Sequence, residues 1–206
     1  MTPSVITLGQ VGKLQEVIGA ALRKSDFPQE VVQRILETQG SSVTSEWISV
    51  LKKRVDAQCE LVRLQVSVDR SRSARVALEA TRCELSFSES VAKAMPRSEG
   101  EEVELVLFQP GRYMYDDELE TEYELRGLVP ADPYSLAAAV EADLTLLDRY
   151  RPLITHWRDA KNKWCSVTFK RGEGIVSPEF RGFVRLFRHS LETDDRNWFA
   201  GFDKRA

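Results

Sequence analysis

The strongest constraint on the fold is a change in the spacing of apolar residues near residue 57. Before this point apolar residues recur every three or four positions, as they do on one face of an amphipathic helix. Beyond it, residues 61–69 alternate between apolar and polar side chains, which is the period of a half-buried strand. A chain of 206 residues has room for one domain or two small ones. We therefore predict a helical bundle over residues 1–57 and a second domain over residues 58–206.

Three helices are predicted in the first of these regions. The first covers Leu8–Lys24, and the second has Pro28 in its first turn and ends at Gly40. The third follows and ends in Lys52–Arg54, whose positive charge suits a helix C-terminus. Such a bundle fits either a DNA-binding helix-turn-helix or a surface for oligomerisation or docking. We favour the second interpretation, because no segment looks like a recognition helix.

The second domain is predicted to mix helices with strands. Strands are expected over residues 61–69, 102–108, 153–157, 164–169, 183–187 and 198–202. Helices are expected over residues 71–81, 86–94, 116–125 and 132–150. The chain has no glycine-rich phosphate loop, no regular βα alternation and no internal repeat, which excludes nucleotide-binding folds. The element order predicts an α+β fold with a mixed antiparallel sheet.

Composition and charge exclude further classes. With 42% apolar and 30% charged residues, and no apolar run near the roughly 18 that span a bilayer, the chain is typical of globular proteins. It is typical neither of membrane proteins nor of disordered chains. Its first residues lack the charged and apolar regions of a secretory signal, so we expect a cytoplasmic protein. A net charge of −3 argues against a dedicated nucleic-acid binder.

Residues with metal-binding or nucleophilic chemistry are few and scattered. Neither histidine, His156 or His189, has a carboxylate or cysteine four residues later, so no metal site is predicted. The three cysteines show no Cys-x-x-Cys spacing and are expected to be reduced, buried thiols: Cys59, Cys83 and Cys165. Cys165 with His156 and Asp159 is the one conceivable nucleophile set, and its strand position turns this thiol inward, where it is inert. We predict no catalytic residue and no cofactor.

Charge is segregated along the second domain. Residues 99–124 hold ten acidic side chains and one basic side chain, whereas residues 149–188 hold ten basic and three acidic ones. Either the two segments face each other and cancel, or the basic segment, which is interleaved with aromatic residues, binds a partner. An acidic protein and a single-stranded nucleic acid both fit such a surface, because phosphate pairing and base stacking use these residue types. The sequence does not separate the two.

Five segments of the second domain resemble known sequences. They are Val68–Ser73, Ala94–Glu104, Tyr123–Ala138, Thr155–Cys165 and Trp198–Gly201. Together they resemble a group of uncharacterised proteins predicted from candidate-phylum bacterial genomes, a resemblance that implies no activity and no catalytic residue.

The order of elements, with the Trp164 and Trp198 strands near its end, resembles the C-type-lectin-like domain at the level of fold. The diversified variable proteins of bacterial retroelements belong to this type. The resemblance implies that the last strand returns beside the first and that long loops bind other molecules. The chain lacks the paired cysteines and the Glu-Pro-Asn triplet of the family, so calcium-dependent sugar binding is not implied.

We therefore expect a non-enzymatic binding module that presents residues 170–180 and 188–197 to a partner, most simply a protein. The candidate binding residues are Arg158, Arg171, Arg188, His189, Arg196 and Trp198. The alternatives are a nucleic-acid-binding accessory protein that uses residues 149–188 and an enzyme of unrecognised type. No membrane partner is expected, and the sequence leaves the oligomeric state open.

Overall fold

The computed structural model describes residues 6–171, 182–187 and 195–204. The chain divides into two compact units, Met1–Lys53 and Arg54–Ala206, which we call the helical unit and the sheet unit. Helices and a mixed sheet of eight strands together define an α+β fold.

The helical unit contains α1, Leu8–Lys24, with the bounds that its apolar spacing predicts. The Thr7 hydroxyl accepts a hydrogen bond from the Gln10 amide at 3.2 Å, and the Gln10 side chain accepts one from the Thr7 amide at 2.8 Å. These two reciprocal hydrogen bonds satisfy two backbone amides that otherwise have no partner within the helix at its start.

The next helix, α2, is a single helix from Gln29 to Cys59. The predicted break at Gly40, and with it the three-helix bundle, is therefore wrong. An interior glycine costs a helix only about 1 kcal/mol, and Gly40 does not adopt the positive φ of a C-terminal cap. The hydroxyls of Thr38, Thr44 and Ser45 donate to carbonyls four residues earlier, so the polar stretch is satisfied within the helix.

The sheet unit holds the remaining elements. Its strands are β1 (Val62–Ser67), β2 (Glu84–Phe87), β3 (Glu102–Phe108), β4 (Leu128–Pro130), β5 (Leu153–Arg158), β6 (Trp164–Arg171), β7 (Gly182–Phe187) and β8 (Trp198–Asp203). Its helices are α3 (Ala74–Glu79), α4 (Glu89–Ala92), α5 (Asp116–Leu125), α6 (Pro133–Ala142) and α7 (Leu146–Arg149).

The strands form one sheet in the order β1-β3-β8-β5-β6-β7-β2, and β4 also pairs with β8. The pairs β5–β8 and β2–β7 are parallel, and the other pairs are antiparallel. The expectation that the last strand lies beside the first is wrong, because β3 separates β8 from β1. Burial explains this order: Phe199–Gly201 in β8 is buried, as a central strand requires, whereas Arg63 and Gln65 in β1 are exposed.

One face of the sheet packs against α6 and α3. The strand register places Leu107 opposite Ala200 and Leu153 opposite Phe169 on this face, where all four are buried. The predicted start of α6 is confirmed, since the Asp132 carboxylate accepts a hydrogen bond from the Ser135 amide at 3.1 Å. This helix ends at Ala142 rather than near residue 150, because the Asp143 carboxylate accepts from the Thr145 amide at 2.9 Å and starts a new turn before α7.

The other face packs against α5. Phe108 lies between Tyr123 and Phe199, with ring centroids 4.8 and 5.8 Å away. The Tyr123 hydroxyl donates to the Ala200 carbonyl at 2.9 Å, which ties α5 to the middle of β8. Residues 128–130, which lie between two predicted helices, form β4, and a Cβ at Gly201 would come within 2.8 Å of the Val129 carbonyl oxygen. The absence of a side chain at Gly201 therefore lets β4 pair with β8.

Two other predictions in this unit need correction. Residues 84–87, partly assigned to a helix, form β2 and pair with β7. The flanking helices are accordingly shorter than predicted, with α3 ending at Glu79 and α4 covering Glu89–Ala92. A four-residue strand has too few residues to show an alternating pattern, and its partner β7 lies about 100 residues later in the chain.

Candidate functional site

The six candidate binding residues do not form one site in the described structure. Arg158 is the last residue of β5, whereas Trp198 pairs with Leu153, the first residue of that strand. A strand of six residues separates its ends by roughly 17 Å. Arg196 is exposed and lies just before Trp198. Arg188 and His189, and most of residues 170–180 and 188–197, lie outside the described residues.

Two of these residues make contacts within the fold. The indole of Trp198 is half-buried and packs edge-on against Tyr150, with ring centroids 4.7 Å apart. Arg171, at the end of β6, forms an ion pair with Asp148 in α7. Both contacts hold α7 and its following turn against the sheet, so they are explained without a partner.

Arg158 lies in a more unusual setting. Its guanidinium lies over the Trp164 ring, 3.9 Å from the centroid, because the two residues are register partners on β5 and β6. The hairpin between them is held by Asp159, whose carboxylate accepts hydrogen bonds from the amides of Lys161 and Lys163 at 2.8 and 2.9 Å. This cation–π pair therefore lies next to a hydrogen-bonded turn.

The acidic segment meets the basic segment at Arg158. Its guanidinium nitrogens lie 3.4–3.5 Å from carboxylate oxygens of Glu120 and Asp117, both on α5. This helix carries six acidic residues in ten positions: Asp116, Asp117, Glu118, Glu120, Glu122 and Glu124. Arg112 pairs with Glu118 and Glu122, at 3.0 and 3.2 Å. The six carboxylates outnumber Arg112, Arg126 and Arg158, which pair with them, so acidic charge is in excess here, and the side chain of Asp117 is 88% exposed.

Two exposed tyrosines precede this helix. Tyr113 is 50% and Tyr115 is 59% exposed, and their rings meet edge to face with centroids 5.5 Å apart. The Tyr115 amide donates to the Glu118 carboxylate at 3.0 Å, which fixes the start of α5. These tyrosines were not predicted as binding residues from the sequence, although they directly precede an acidic helix start. We define the α5 surface as Tyr113, Tyr115, Asp117, Glu120, Arg158 and Trp164.

A buried histidine lies beneath the α5 surface. The His156 ring contacts Tyr123 and Trp164, with centroids 5.3 and 4.8 Å away. Burial, assisted by the nearby positive charge of Arg158, lowers the pKa of His156 to about 3. Its strand partner Ser166 is also buried, and neither the Ser166 hydroxyl nor a His156 ring nitrogen has a hydrogen-bond partner among the described residues.

A serine beside a neutral imidazole has the composition of a nucleophile and its base. The exposures of 1% for His156 and 2% for Ser166 put both groups beyond the reach of a substrate. A pKa near 3 also makes the imidazole a weak base at neutral pH. The pair therefore belongs to the polar interior of the fold.

The cysteines agree with the sequence argument where their side chains are described. Cys83 and Cys165 are buried, and burial raises the pKa of the Cys83 thiol. Cys165 is the register partner of Trp157, so it faces away from His156, and the Cys165–His156–Asp159 set is not assembled. In residues 6–171, 182–187 and 195–204, no three or more His, Cys, Asp or Glu side chains group in a way that could hold a metal ion.

Comparisons with known proteins identify no relative of this chain. No family model matches the chain, and neither the curated proteins nor the solved structures contain a significant match. Within the part of the chain that the structure describes, no helix has the length and apolar character that a membrane crossing requires.

Proposed function

We propose that the chain is a non-enzymatic interaction module that binds a protein partner through the α5 surface. The observation that carries this proposal is the combination of two exposed tyrosines, exposed carboxylates and the Arg158–Trp164 pair. Tyrosine, tryptophan and arginine are the residue types that dominate binding energy at protein interfaces. The partner we infer presents a basic segment, which the carboxylates of α5 attract.

The charge of the α5 surface supports a protein over a nucleic acid. Arg158, which the nucleic-acid alternative would use against a phosphate, already lies beside Glu120 and Asp117. A phosphate brought to this guanidinium would meet the two carboxylates as like charges. Burial of His156 and Ser166 gives no support to the enzyme alternative, since neither side chain is accessible.

The sequence-based prediction that residues 170–180 and 188–197 bind the partner stays a second candidate for the same function. Arg171 and Arg196 are its described members, and both are exposed. The display arrangement of a C-type-lectin-like domain is not part of our proposal, because β3 lies between β8 and β1.

The test is a capture experiment with matched variants. Wild-type protein and a Tyr113→Ala/Tyr115→Ala variant are immobilised, exposed to nuclease-treated lysate and compared by quantitative mass spectrometry. Val76→Ala, which removes another exposed apolar side chain of the sheet unit, serves as the control. We expect a protein that the wild type and the control enrich and that the tyrosine variant loses.

The captured protein, once purified, is titrated with further variants. Asp117→Asn/Glu120→Gln is expected to weaken binding about tenfold and to reduce its dependence on salt, since both carboxylates face the proposed partner. Arg171→Ala/Arg196→Ala is expected to leave the affinity unchanged. Equal capture by wild type and tyrosine variant would refute the α5 surface as the binding site. Loss of affinity confined to the arginine variant would move the site to the C-terminal loops, and material that nuclease removes would favour the nucleic-acid alternative.

A further inference from the structure

The helical unit has no core of its own. No described residue between Ile6 and Lys53 is buried, although both helices carry many apolar side chains. Ordering a residue costs conformational entropy, which soluble proteins offset mainly by burying apolar surface. Helices that bury none are therefore expected to pack against something outside their own chain.

The apolar positions of α2 are arranged symmetrically about Val43. Leu36 lies seven residues before Val43, and Val50 lies seven residues after it. Ile35 and Leu51 lie eight residues before and after Val43 in the same way. Seven residues amount to almost two helical turns, so Leu36, Val43 and Val50 lie on one face of α2. Leu36 and Val50 are 56% and 57% exposed. When two α2 helices run antiparallel with Val43 at the crossing, each Leu36 lies at the level of the other copy's Val50.

Charge along α2 favours the same orientation. Before Val43 the helix carries Glu30, Arg34 and Glu37, with net charge −1, and from there to Lys53 it carries Glu46, Lys52 and Lys53, with net charge +1. An antiparallel pair places the negative half of one helix beside the positive half of the other. A parallel pair brings Lys52 and Lys53 of both copies together, which is repulsive.

The first helix has a stripe that such an assembly can use. Val11, Leu14, Ile18 and Ala21 follow one another at intervals of three, four and three residues, the spacing of a helix that packs along a seam. Two helices from each of two copies supply four apolar faces, which is the number that a four-helix bundle buries.

We propose that the uncovered face of the helical unit binds a second copy of this chain. The two copies are related by a two-fold axis at Val43, and their α2 helices run antiparallel. A closed two-fold interface uses the same patch on both copies, which is what the symmetric apolar pattern supplies. This interface is separate from the α5 surface, so either proposal can fail without the other.

Sedimentation equilibrium of the full-length protein tests the stoichiometry. We expect twice the mass of one chain for the wild type. Leu36→Glu/Val50→Glu is expected to raise the dissociation constant at least about a hundredfold, because each copy then places charges in an apolar seam. The control is Ile48→Glu, an exposed residue on the same helix about 140° away from Val43, which should remain a dimer. Circular dichroism shows whether the charged variant still folds. A monomeric wild type would overturn the proposal, as would a dimer that survives Leu36→Glu/Val50→Glu.

Cysteine cross-linking tests the orientation without depending on a disruptive variant. In a Cys59→Ser background, Val43→Cys is expected to form a disulfide with its copy, because the two-fold axis brings these positions together. A mixture of Leu36→Cys and Val50→Cys chains should cross-link to each other, whereas Leu36→Cys alone should not. Cross-linking of Leu36→Cys with itself would show a parallel pair and refute the proposed arrangement. Dimers without any of these cross-links would place the interface on another surface and refute it as well.

Discussion

The helical unit and the sheet unit use apolar residues in opposite ways. In the sheet unit, β8 has neighbouring strands on both sides, α6 over one face and α5 over the other, so Phe199 and Ala200 are fully buried. In the helical unit, α1 shows comparable periodicity and buries nothing. Amphipathic spacing therefore determines which element forms, and the number of surrounding elements determines whether its apolar face is covered.

The largest expected effect comes from one substitution made in both units. Phe199→Ala removes a fully buried ring that contacts Phe108 and should cost about 3–5 kcal/mol of unfolding free energy. Phe27→Ala removes a ring that is 63% exposed and should cost no more than about 0.5 kcal/mol. Urea unfolding of both variants is followed by far-ultraviolet circular dichroism, to which the helices of both units contribute. A similar loss of unfolding free energy in the two variants would contradict the proposed difference in burial between the units.

A second comparison concerns charge inside the sheet unit. Arg70 donates to the Asp132 carboxylate at 2.7 Å and to the Ser135 hydroxyl at 2.9 Å, and the Asp132 side chain is almost fully buried. Arg70→Met leaves that carboxylate without its counter-charge and should cost about 3 kcal/mol. Arg72→Met breaks pairs with Asp69 and Glu141, which are much more exposed, and should cost about 1 kcal/mol or less. Thermal unfolding of both variants measures the difference, and equal losses would contradict the larger effect expected for the ion pair of the buried Asp132 carboxylate.

The third prediction concerns the pH dependence of the sheet unit. His156 has its pKa lowered to about 3 in the folded protein, so below pH 6.5 the unfolded chain binds a proton that the folded chain does not. The stability contributed by the neutral ring is thus complete above pH 6.5 and is lost as the pH falls. Between pH 7 and pH 5 this loss amounts to about 2 kcal/mol.

The measurement is the unfolding free energy of the wild type and of His156→Gln at both pH values. Glutamine does not titrate, so the variant should lose about 2 kcal/mol less than the wild type over this interval. The charged residue on the same strand is Arg158, and across from it α5 contributes the carboxylates of Glu120 and Asp117. Parallel pH profiles for the two proteins would show that His156 is not the responsible group.

The smallest effect on stability is expected for exposed ion pairs, which occur in both units. Arg63 pairs with Glu104 and Asp203 on the sheet surface, and Lys13 pairs with Glu16 on α1 at 2.9 Å. All five side chains are substantially exposed, so Arg63→Gln and Lys13→Gln should each change stability by about 1 kcal/mol or less. Added salt should weaken both pairs. A markedly larger loss in one unit would show that the contrast extends beyond apolar burial.

Elements with a complete local signal were predictable from the sequence. The bounds of α1 and of β3, Glu102–Phe108, are confirmed because both have strong periodicity and recognisable ends. The strands β2 and β4 were missed, since their pairing depends on β7 and β8, which come much later in the chain. Continuity of α2 through Gly40 was missed because a local breaker was given more weight than the helix on either side.

The candidate site was predictable only in part and for the same reason. Arg158 and Trp164 stand close together in sequence on successive strands, and the structure stacks them. The carboxylates beside them come from α5, about 40 residues earlier, and only the packing of that helix on the sheet brings them there. Local patterns thus identified the basic and aromatic partners, whereas the acidic half of the surface needed the tertiary structure.

The central position of β8 also determines when the sheet unit can be assembled during synthesis. Until Trp198–Asp203 has left the ribosome, β1 and β3 form one half-sheet, and β5, β6 and β7 form another, with no strand to join them. Each half-sheet then carries an open edge at β3 or β5, and open edges pair readily with other chains. The nascent protein is therefore expected to be most prone to aggregation in the interval before these residues emerge from the ribosome.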